Sequence, residues 1–174
     1  MISLNFMLKM KYLLLTLLTI GLYSCDSKAQ NDSNKSEASE FEITKSEAEW
    51  KKELTPAEYQ VLRKSATEPR NSSPLNQIDE SGTFVCAACK NPIYKAKHKY
   101  DRGSGWPSFD RPVEGNIKLK TDRKLGYQRQ EVICAKCGSH LGHVFNDGPK
   151  ETTGKRHCIN GVAMKFITDQ ENSK

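Results

Sequence analysis

Two Cys-x-x-Cys pairs place the strongest constraint on how this chain can fold. Cys86 and Cys89 form the first pair, and Cys134 and Cys137 form the second. Each pair ends a run of β-forming residues, so each is expected in a tight turn at a strand end. Two such turns brought together supply four thiolates in a tetrahedral arrangement, the usual geometry of a closed structural zinc site. Since 44 residues separate the pairs, the metal would join two distant halves of the domain.

Other uses of these four cysteines remain open at this point. In an oxidising compartment they could form disulfides, and a single pair could act as a redox-active dithiol. Because the Cys-x-x-Cys pair occurs twice, each time at the end of a predicted strand, a metal site is favoured over these alternatives. His140 and His143 follow Cys137 at three-residue steps and could also bind a metal. Four thiolates already complete a tetrahedral site, however, so the histidines are expected to serve another purpose.

The beginning of the chain has the pattern of an export signal. Lys9 and Lys11 precede an apolar run over residues 12–22. A positive start followed by a short apolar stretch and small residues is typical of a secretory signal peptide. The run has 11 residues, whereas a helix needs about 20 to span a bilayer core. A buried helix fits less well, because nothing amphipathic flanks the run. We therefore expect export.

The residues around Cys25 resemble the lipobox of bacterial lipoproteins, with Leu22 three positions earlier. The resemblance implies that residues 1–24 are removed and that Cys25 carries lipid, which anchors a protein when more than one acyl chain is present. Residues 25–46 are rich in Ser, Asn, Glu and Lys and predict a flexible tether. The expected location is outside the cytoplasm, lipid-anchored to a bacterial membrane on its periplasmic or cell-surface face.

Residues 47–168 are predicted to form one mainly β domain with short N-terminal helices, followed by a tail at 169–174. Ser46 and Thr55 each precede a helical pattern, and each is followed three residues later by glutamate, which is the capping-box signature. Downstream, GTFVC, NIKLKT and GYQRQEVIC are rich in β-formers between turn residues. HCING and VAMKFI are interpreted as the final strand pair.

The charge pattern bears on possible partners. The chain carries a formal charge of +6 at pH 7. This excess is spread along the sequence and forms no basic cluster interleaved with aromatic residues. Nucleic-acid binding is therefore not indicated.

One cysteine is left once the others are assigned. Of the six cysteines, Cys25 is assigned to lipid and four to the metal, which leaves Cys158. On a strand, residues two apart share a face, so Arg156, Cys158 and Asn160 would project together. A guanidinium favours the thiolate form of a neighbouring thiol, and the thiolate is the nucleophile. The alternative, a buried inert thiol, fits less well because an apolar core would not hold Arg156 and Asn160. Cys158 is predicted to be functional.

Four features together resemble the methionine-R-sulfoxide reductases of the B type. They are GSGWPSF at 103–109, CGSHLGHVFNDGP at 137–149, GKRHCINGVAMKF at 154–166 and the paired Cys-x-x-Cys. The similarity runs from about Trp50 to Ile167. It implies a β-tent fold, with two antiparallel sheets and a four-cysteine zinc site away from the catalytic residues. It also implies a function in protein repair during oxidative stress.

The resemblance also assigns roles to individual residues. Cys158 matches the nucleophile, which attacks the sulfoxide sulfur, releases methionine and becomes a sulfenic acid. Proton delivery falls to His143, with His140 beside it, and contact with the substrate's methyl group falls to Trp106. The surrounding polar network matches three positions: Arg156, Asn160 and Asp147.

Ser104 departs from many members of this family, which carry a cysteine there that forms a disulfide with the oxidised nucleophile. A serine cannot do this, and no other thiol is spare. The prediction is that an external thiol, from a thioredoxin-like protein or a small molecule, reduces the sulfenic acid.

Two rival functions belong to other classes. Related β-tent domains keep the zinc and the sheets but bind ligands without catalysis; such a module would have no reason to keep Cys158 beside two histidines and an arginine. A lipid-tethered redox protein using its Cys-x-x-Cys pairs is the other, and bound zinc would exclude it by occupying those thiols.

Overall fold

Two short helices open the part of the chain that the computed structural model describes, residues 40–170. Helix α1 covers Glu47–Glu53 and α2 covers Pro56–Lys64. Both begin with the predicted capping box, in which the side chain of Ser46 or Thr55 accepts a hydrogen bond from the backbone of the glutamate three residues later and that glutamate's side chain accepts one in return. Trp50 of α1 and Leu62 of α2 are buried, so the helices are held by their apolar faces.

Several predictions concern residues outside the described part of the chain. They are the signal peptide at 1–24, lipid on Cys25 and most of the tether. The last tether residues are described and contact the domain: the backbone N–H of Ile43 donates to the Lys136 carbonyl at 3.0 Å, and the Phe41 ring lies over Gly138. Phe41 and Ile43 are apolar, which explains the contact. The prediction of a tether rests on the polar residues around them.

Nine strands follow within the described residues, and they form two antiparallel sheets as expected for the predicted β-tent fold. The three-stranded sheet has the order β2-β1-β9, and the six-stranded sheet has the order β3-β4-β8-β7-β6-β5. Their bounds are β1 Gly82–Cys86, β2 Pro92–Lys95, β3 Lys99–Tyr100, β4 Ser108–Phe109, β5 Ile117–Asp122, β6 Arg129–Cys134, β7 His140–Phe145, β8 Arg156–Ile159 and β9 Met164–Thr168.

The last two strands do not pair with each other, which corrects the sequence interpretation. β8 lies between β4 and β7, whereas β9 pairs with β1 in the other sheet. A single turn of 3-10 helix, Gly161–Ala163, separates them and carries the chain from one sheet to the other. Both strands show the right β-forming composition, but composition does not specify which neighbour a strand takes.

The core is built from aromatic side chains of both sheets. The Phe84 and Phe109 rings meet edge to face with centroids 5.0 Å apart, and Tyr94 stacks on Phe109 at 4.3 Å. Met164 begins β9 opposite Cys86 and is buried. The core therefore ties the three-stranded sheet to β4 of the larger sheet.

The helices within residues 40–170 were also compared with the length and apolarity that a membrane span requires. None of them meets both requirements.

Candidate active site and metal centre

Cys158 lies on an interior strand of the larger sheet, which gives it fixed neighbours on both sides. It is opposite His143 on β7 and opposite Ser108 on β4. The preceding residue, His157, points to the other face, where its Nδ1 lies 3.0 Å from the Tyr94 hydroxyl and burial lowers its pKa to about 4. The alternation of the strand thus separates a core histidine from a thiol that faces a cavity.

The cavity next to Cys158 has a volume of ≈190 Å³ and is called here the thiol cavity. Residues from three strands and three loop segments line it: Thr67, Trp106, Arg129, Gly142, His143, Phe145, Cys158 and Asn160. A side chain at Gly142 would collide with the backbone of β8, since a Cβ there would lie 2.1 Å from the Cys158 carbonyl oxygen. Glycine at this position therefore lets β7 and β8 close up beside the thiol.

Arg156 is held in place beside Cys158 from two directions. Its Nε donates to Asp147 Oδ1 at 2.8 Å and its Nη2 donates to Oδ2 at 3.1 Å. The guanidinium also lies over the Phe145 ring, with its central carbon 4.5 Å from the centroid. A bidentate carboxylate contact and an aromatic face both restrict a guanidinium. The structure thus brings together Arg156 and Asp147, two of the three positions that the resemblance assigns to the polar network.

The sequence-based expectation of a thiolate favoured by Arg156 is only part of the balance at Cys158. Burial raises the pKa of the Cys158 thiol above its ordinary value, because it disfavours the charged form. Arg156 and the Ser104 hydroxyl act in the opposite direction, and the net shift of the pKa is upward. At neutral pH Cys158 is therefore mainly a thiol in the free protein, and the guanidinium limits the cost of ionising it.

This balance predicts a pH profile for alkylation of Cys158. We expect the rate with iodoacetamide, followed by mass spectrometry of the Cys158 peptide, to rise through pH 9 and beyond. Arg156→Met should move the profile to higher pH, because it removes the cation and leaves Asp147, which itself raises the thiol's pKa. Lys155→Met, which changes an exposed neighbour bonded to Asn146, is the control. A profile centred well below pH 9 would contradict the expectation.

His143 is anchored by an acid from the edge strand β5. Its Nε2 lies 2.8 Å from Asp122 Oδ2, and Arg129 Nη2 donates to the same carboxylate oxygen at 2.5 Å. The backbone N–H of Lys124 donates to the other oxygen at 2.8 Å. This N–H, followed by His143 and Arg129, holds the pKa of Asp122 well below its usual value. Asp122 is thus a permanent anion that fixes the imidazole.

Opposing effects act on His143 itself. Burial lowers its pKa, and the carboxylate of Asp122 only partly compensates. The imidazole is therefore mainly neutral at pH 7, with the Nε2 proton donated to Asp122. Fixing one ring nitrogen in this way leaves Nδ1 as the nitrogen whose protonation can change.

His140 lies behind His143 and outside the lining of the thiol cavity. Its Nδ1 is 2.6 Å from Glu131 Oε1, and its ring meets that of His143 edge to face with centroids 5.4 Å apart. The ring is buried, and its Nε2 has no hydrogen-bond partner among the described residues. Of the two predicted histidines, His143 therefore lies next to Cys158. His140 packs against His143 and supports its ring.

Trp106 and Asn160 line the cavity and share one support, Glu68. The Trp106 indole N–H donates to the Glu68 carbonyl at 3.1 Å. The Asn160 side-chain oxygen accepts from the Glu68 backbone N–H at 3.0 Å, and its amide donates to the Leu141 carbonyl at 3.0 Å. Glu68 is buried. A single residue of the loop after α2 therefore orients two walls of the thiol cavity.

The four cysteines of the paired motif converge as the sequence predicted. Their sulfur atoms all lie within 4.8 Å of one another, with Cys86–Cys137 at 3.9 Å and Cys89–Cys134 at 3.6 Å. A tetrahedral zinc site needs sulfurs about 3.8 Å apart, since Zn–S bonds are about 2.3 Å long. Cys86 ends β1 and Cys134 ends β6, so the cluster joins the two sheets. It shares no residue with the thiol cavity.

Sequence reasoning missed several residues that surround Cys158. Asp122 and Arg129 lie opposite each other on β5 and β6. These two strands form a hairpin, and predicting its register would have shown that the two residues are paired. Glu131, which supports His140, precedes the second cysteine pair by three residues. Thr67 and Glu68 belong to a loop with no local signal that it reaches the cavity.

Comparison with known proteins gives a consistent result. The family model described as the SelR domain matches residues 54–168. A curated "Peptide methionine sulfoxide reductase MsrB" from Leptospira interrogans is 48% identical over 127 residues, which is 72% of this chain and 96% of the relative. One of the same name from Chromohalobacter salexigens is 46% identical, over 71% of this chain and 94% of the relative. The solved Mis18 "Yippee-like" domain, 13% identical, covers 51% of this chain and 97% of its own with a TM-score of 0.42, too weak a likeness for any conclusion.

Proposed function

The chain belongs to the SelR family and is a peptide-methionine (R)-S-oxide reductase, and we propose that Cys158 is the nucleophile of its thiol-dependent reaction. The single observation that carries the assignment is the thiol cavity, in which Cys158 faces His143 from an adjacent strand. The competing idea of a non-catalytic ligand-binding module is not favoured by the named relatives.

The reaction transfers one oxygen atom. The Cys158 thiol gives up its proton as its sulfur attacks the sulfoxide sulfur and forms a sulfur–sulfur bond. The sulfoxide oxygen, protonated to a hydroxyl, then moves to the Cys158 sulfur while its bond to the substrate sulfur and the sulfur–sulfur bond both break, which leaves Cys158 as a sulfenic acid. The substrate sulfur gains an electron pair and becomes the thioether of methionine, so Cys158 is oxidised by two electrons. Two thiols then reduce the sulfenic acid to the thiol, with release of water and formation of their disulfide.

Oxide is a poor leaving group, so the sulfoxide oxygen must be protonated as its bond to sulfur breaks. His143 lines the cavity opposite Cys158, and its Nε2 is occupied by Asp122. Its Nδ1 is therefore the atom that would carry the proton to the substrate. Asp122 acts by fixing the ring and stabilising the imidazolium, and His140 with Glu131 supports the ring from behind.

The other walls of the cavity would position the substrate. The flat indole face of Trp106 suits the methyl group on the sulfoxide, and the hydrogen bond to the Glu68 carbonyl fixes the ring. Asn160 is held by two backbone contacts and offers a neutral polar wall. Arg156 with Asp147 would stabilise negative charge on Cys158.

Reduction by an external thiol follows from the cysteines that are left. Apart from Cys158, the free cysteines of the described residues all belong to the four-cysteine cluster. Ser104 acts on the pKa of Cys158 through a hydrogen bond, so the position of the family's resolving cysteine is adjacent to the nucleophile. A thioredoxin-like protein or a small thiol would therefore complete the cycle.

Replacement of Ser104 tests this part of the proposal. After one turnover without reductant, the wild type should carry a sulfenic acid on Cys158, detected as a dimedone adduct and never as an intramolecular disulfide. Ser104→Cys should instead form a disulfide between positions 104 and 158, with a mass decrease of two hydrogens. Ser104→Ala is the matched control and, like the wild type, should carry the sulfenic acid on Cys158 and form no intramolecular disulfide. A disulfide to Cys158 in the wild type would contradict the external route.

Zinc is the metal that the four-cysteine cluster fits best, by its four sulfur donors and their spacing. Bound there, it would contribute folding free energy and hold β1 against β6. No step of the reaction passes through it.

The N-terminal pattern supports a separate proposal, that residues 1–24 direct export and that Cys25 is lipidated. It rests on the sequence alone. Incorporation of labelled fatty acid into the full-length protein in its host, and its loss in Cys25→Ser, tests the proposal; an unlabelled protein retaining residues 1–24 would refute it.

The first test of the function uses both diastereomers of a peptide methionine sulfoxide with dithiothreitol. Turnover of the R epimer alone is expected. If a folded protein reduces neither epimer, the non-catalytic ligand-binding module would be favoured instead.

A further inference from the structure

A second and larger cavity lies beside the thiol cavity, with a volume of ≈450 Å³. We call it the flanking groove. It runs between α2, the loop after α2 and the 3-10 turn that follows β8. Representative lining residues are Ala57, Gln60, Val61, Thr67, Ser73 and Val162. Its volume lies within the range of about 300–1,000 Å³ that ligand pockets occupy.

Three structural links join the flanking groove to the thiol cavity. Thr67 is exposed and lines both. Asn160 lines the thiol cavity, and the next residue, Gly161, lines the groove. The Glu68 backbone carbonyl accepts a hydrogen bond from Trp106 in the thiol cavity. Its carboxylate accepts hydrogen bonds from the backbone of Gly161 and Val162, which line the groove. A chain lying over Thr67 would therefore reach both cavities.

The chemistry of the groove selects an uncharged occupant. Glu68 is the one ionisable side chain in its lining, and its carboxylate accepts hydrogen bonds from the backbone N–H groups of Gly161 at 2.6 Å and Val162 at 2.9 Å. The remaining lining side chains are small apolar or neutral polar groups. Because both carboxylate oxygens of Glu68 already accept hydrogen bonds from the turn after β8, the groove offers a mainly apolar surface and no cationic partner for a charged side chain.

The groove is also preformed. Gly161 lies so close to Ser73 that a Cβ on it would be 1.9 Å from the Ser73 Oγ. This contact and the two hydrogen bonds to Glu68 fix the turn after β8 against the loop after α2. A rigid apolar pocket loses little conformational entropy when it is filled.

From these observations we propose that the flanking groove binds an apolar side chain of the protein substrate, within a few residues of the methionine sulfoxide in the thiol cavity. An extended chain advances about 3.3 Å per residue, and alternate side chains share a face. One neighbouring side chain can thus enter the groove while the sulfoxide is next to Cys158. The inference rests on the proposed function and adds a sequence preference to it.

The test compares substrates that differ at one flanking position. The full-length protein is assayed with pentapeptides carrying methionine-R-sulfoxide at the centre and Leu, Ala or Glu at each flanking position in turn. N-acetyl-methionine-R-sulfoxide, which is too short to enter the groove, is the reference. For the favoured position we expect kcat/KM with Leu to exceed that with Ala by about tenfold, mainly through KM, and Glu to be poorer still.

Variants then locate this preference. Ala57→Trp, which fills the groove from the exposed side of α2, should lower the Leu-to-reference ratio of kcat/KM about tenfold. Lys52→Trp, an exposed site outside the groove, should leave the ratio unchanged. If Ala57→Trp does not fold, as judged by its melting curve, Gln60→Glu serves instead. Its carboxylate in the groove should lower the Leu-to-reference ratio of kcat/KM and lower the ratio for the Glu-flanked peptide further.

The outcomes separate this inference from the function. Failure to reduce even the reference substrate would overturn the function. Reduction of the reference with equal rates for all peptides, or a Leu preference that survives the groove variants, would overturn the groove proposal alone. A dimer in sedimentation that Ala57→Trp dissociates would assign the groove to a second copy of the chain and likewise overturn it.

Discussion

Cys158→Ser is expected to lower kcat/KM for methionine-R-sulfoxide by about 10⁴-fold or more, the order of magnitude that removal of a catalytic nucleophile costs. A serine hydroxyl is a far weaker nucleophile and cannot form a sulfenic acid. The strands around position 158 should remain in register, since its pairing with β4 and β7 uses the backbone. The measurement is steady-state turnover of the R epimer with dithiothreitol, together with the mass of the protein after one turnover.

The control for this prediction is the fold of the variant. Cys158→Ser should keep its metal and melt within a few degrees of the wild type, because the cluster of four cysteines does not include Cys158. The wild type should gain one oxygen atom at Cys158 in the absence of reductant, and the variant should gain none. Substantial turnover by a pure, folded Cys158→Ser protein would mean that another thiol attacks the substrate.

Cys134→Ser is expected to destabilise the whole domain. Structural zinc contributes about 10–16 kcal/mol of apparent binding free energy in small zinc domains, whereas domains of this size are stable by about 5–15 kcal/mol. Cys134 is fully buried at the end of β6, so a hydroxyl there also lacks a ready partner. We expect the melting temperature to fall by at least about 10 °C, measured by circular dichroism, with loss of zinc by metal analysis.

Cys158→Ser is the matched substitution for this experiment, since it makes the same chemical change outside the cluster. A strong chelator applied to the wild type should reproduce the effect of Cys134→Ser and leave that variant little changed. If the variant and the wild type melt together and neither contains zinc, the four cysteines have another use.

Local chemistry made much of the fold predictable from the sequence. The capping boxes at Ser46 and Thr55 depend on side chains three residues away, and the cysteine pairs mark turns at strand ends. These interactions lie within a few residues, so their patterns survive in the linear sequence. The candidate site was predicted from motifs, and three of its predicted residues, Cys158, Trp106 and His143, line one cavity.

The remainder depends on contacts between distant segments. Asp122 reaches His143 across the intervening strand β6, and Glu68 meets Asn160 across 92 residues of chain. No local pattern specifies either contact. The electrostatics of Cys158 show the same limit: the sequence reveals Arg156 as a neighbour, but the burial that outweighs it becomes visible only in the folded sheet.

Met164, the buried first residue of β9, has a consequence for the protein's own exposure to oxidants. It is the one methionine within residues 40–170, and 4% of its surface is accessible. Methionine sulfoxide in a core is disruptive, and its formation requires access for the oxidant. The folded domain thus presents almost no target for the damage it reverses in other proteins. We therefore expect little sulfoxide to form at Met164 while the domain is folded.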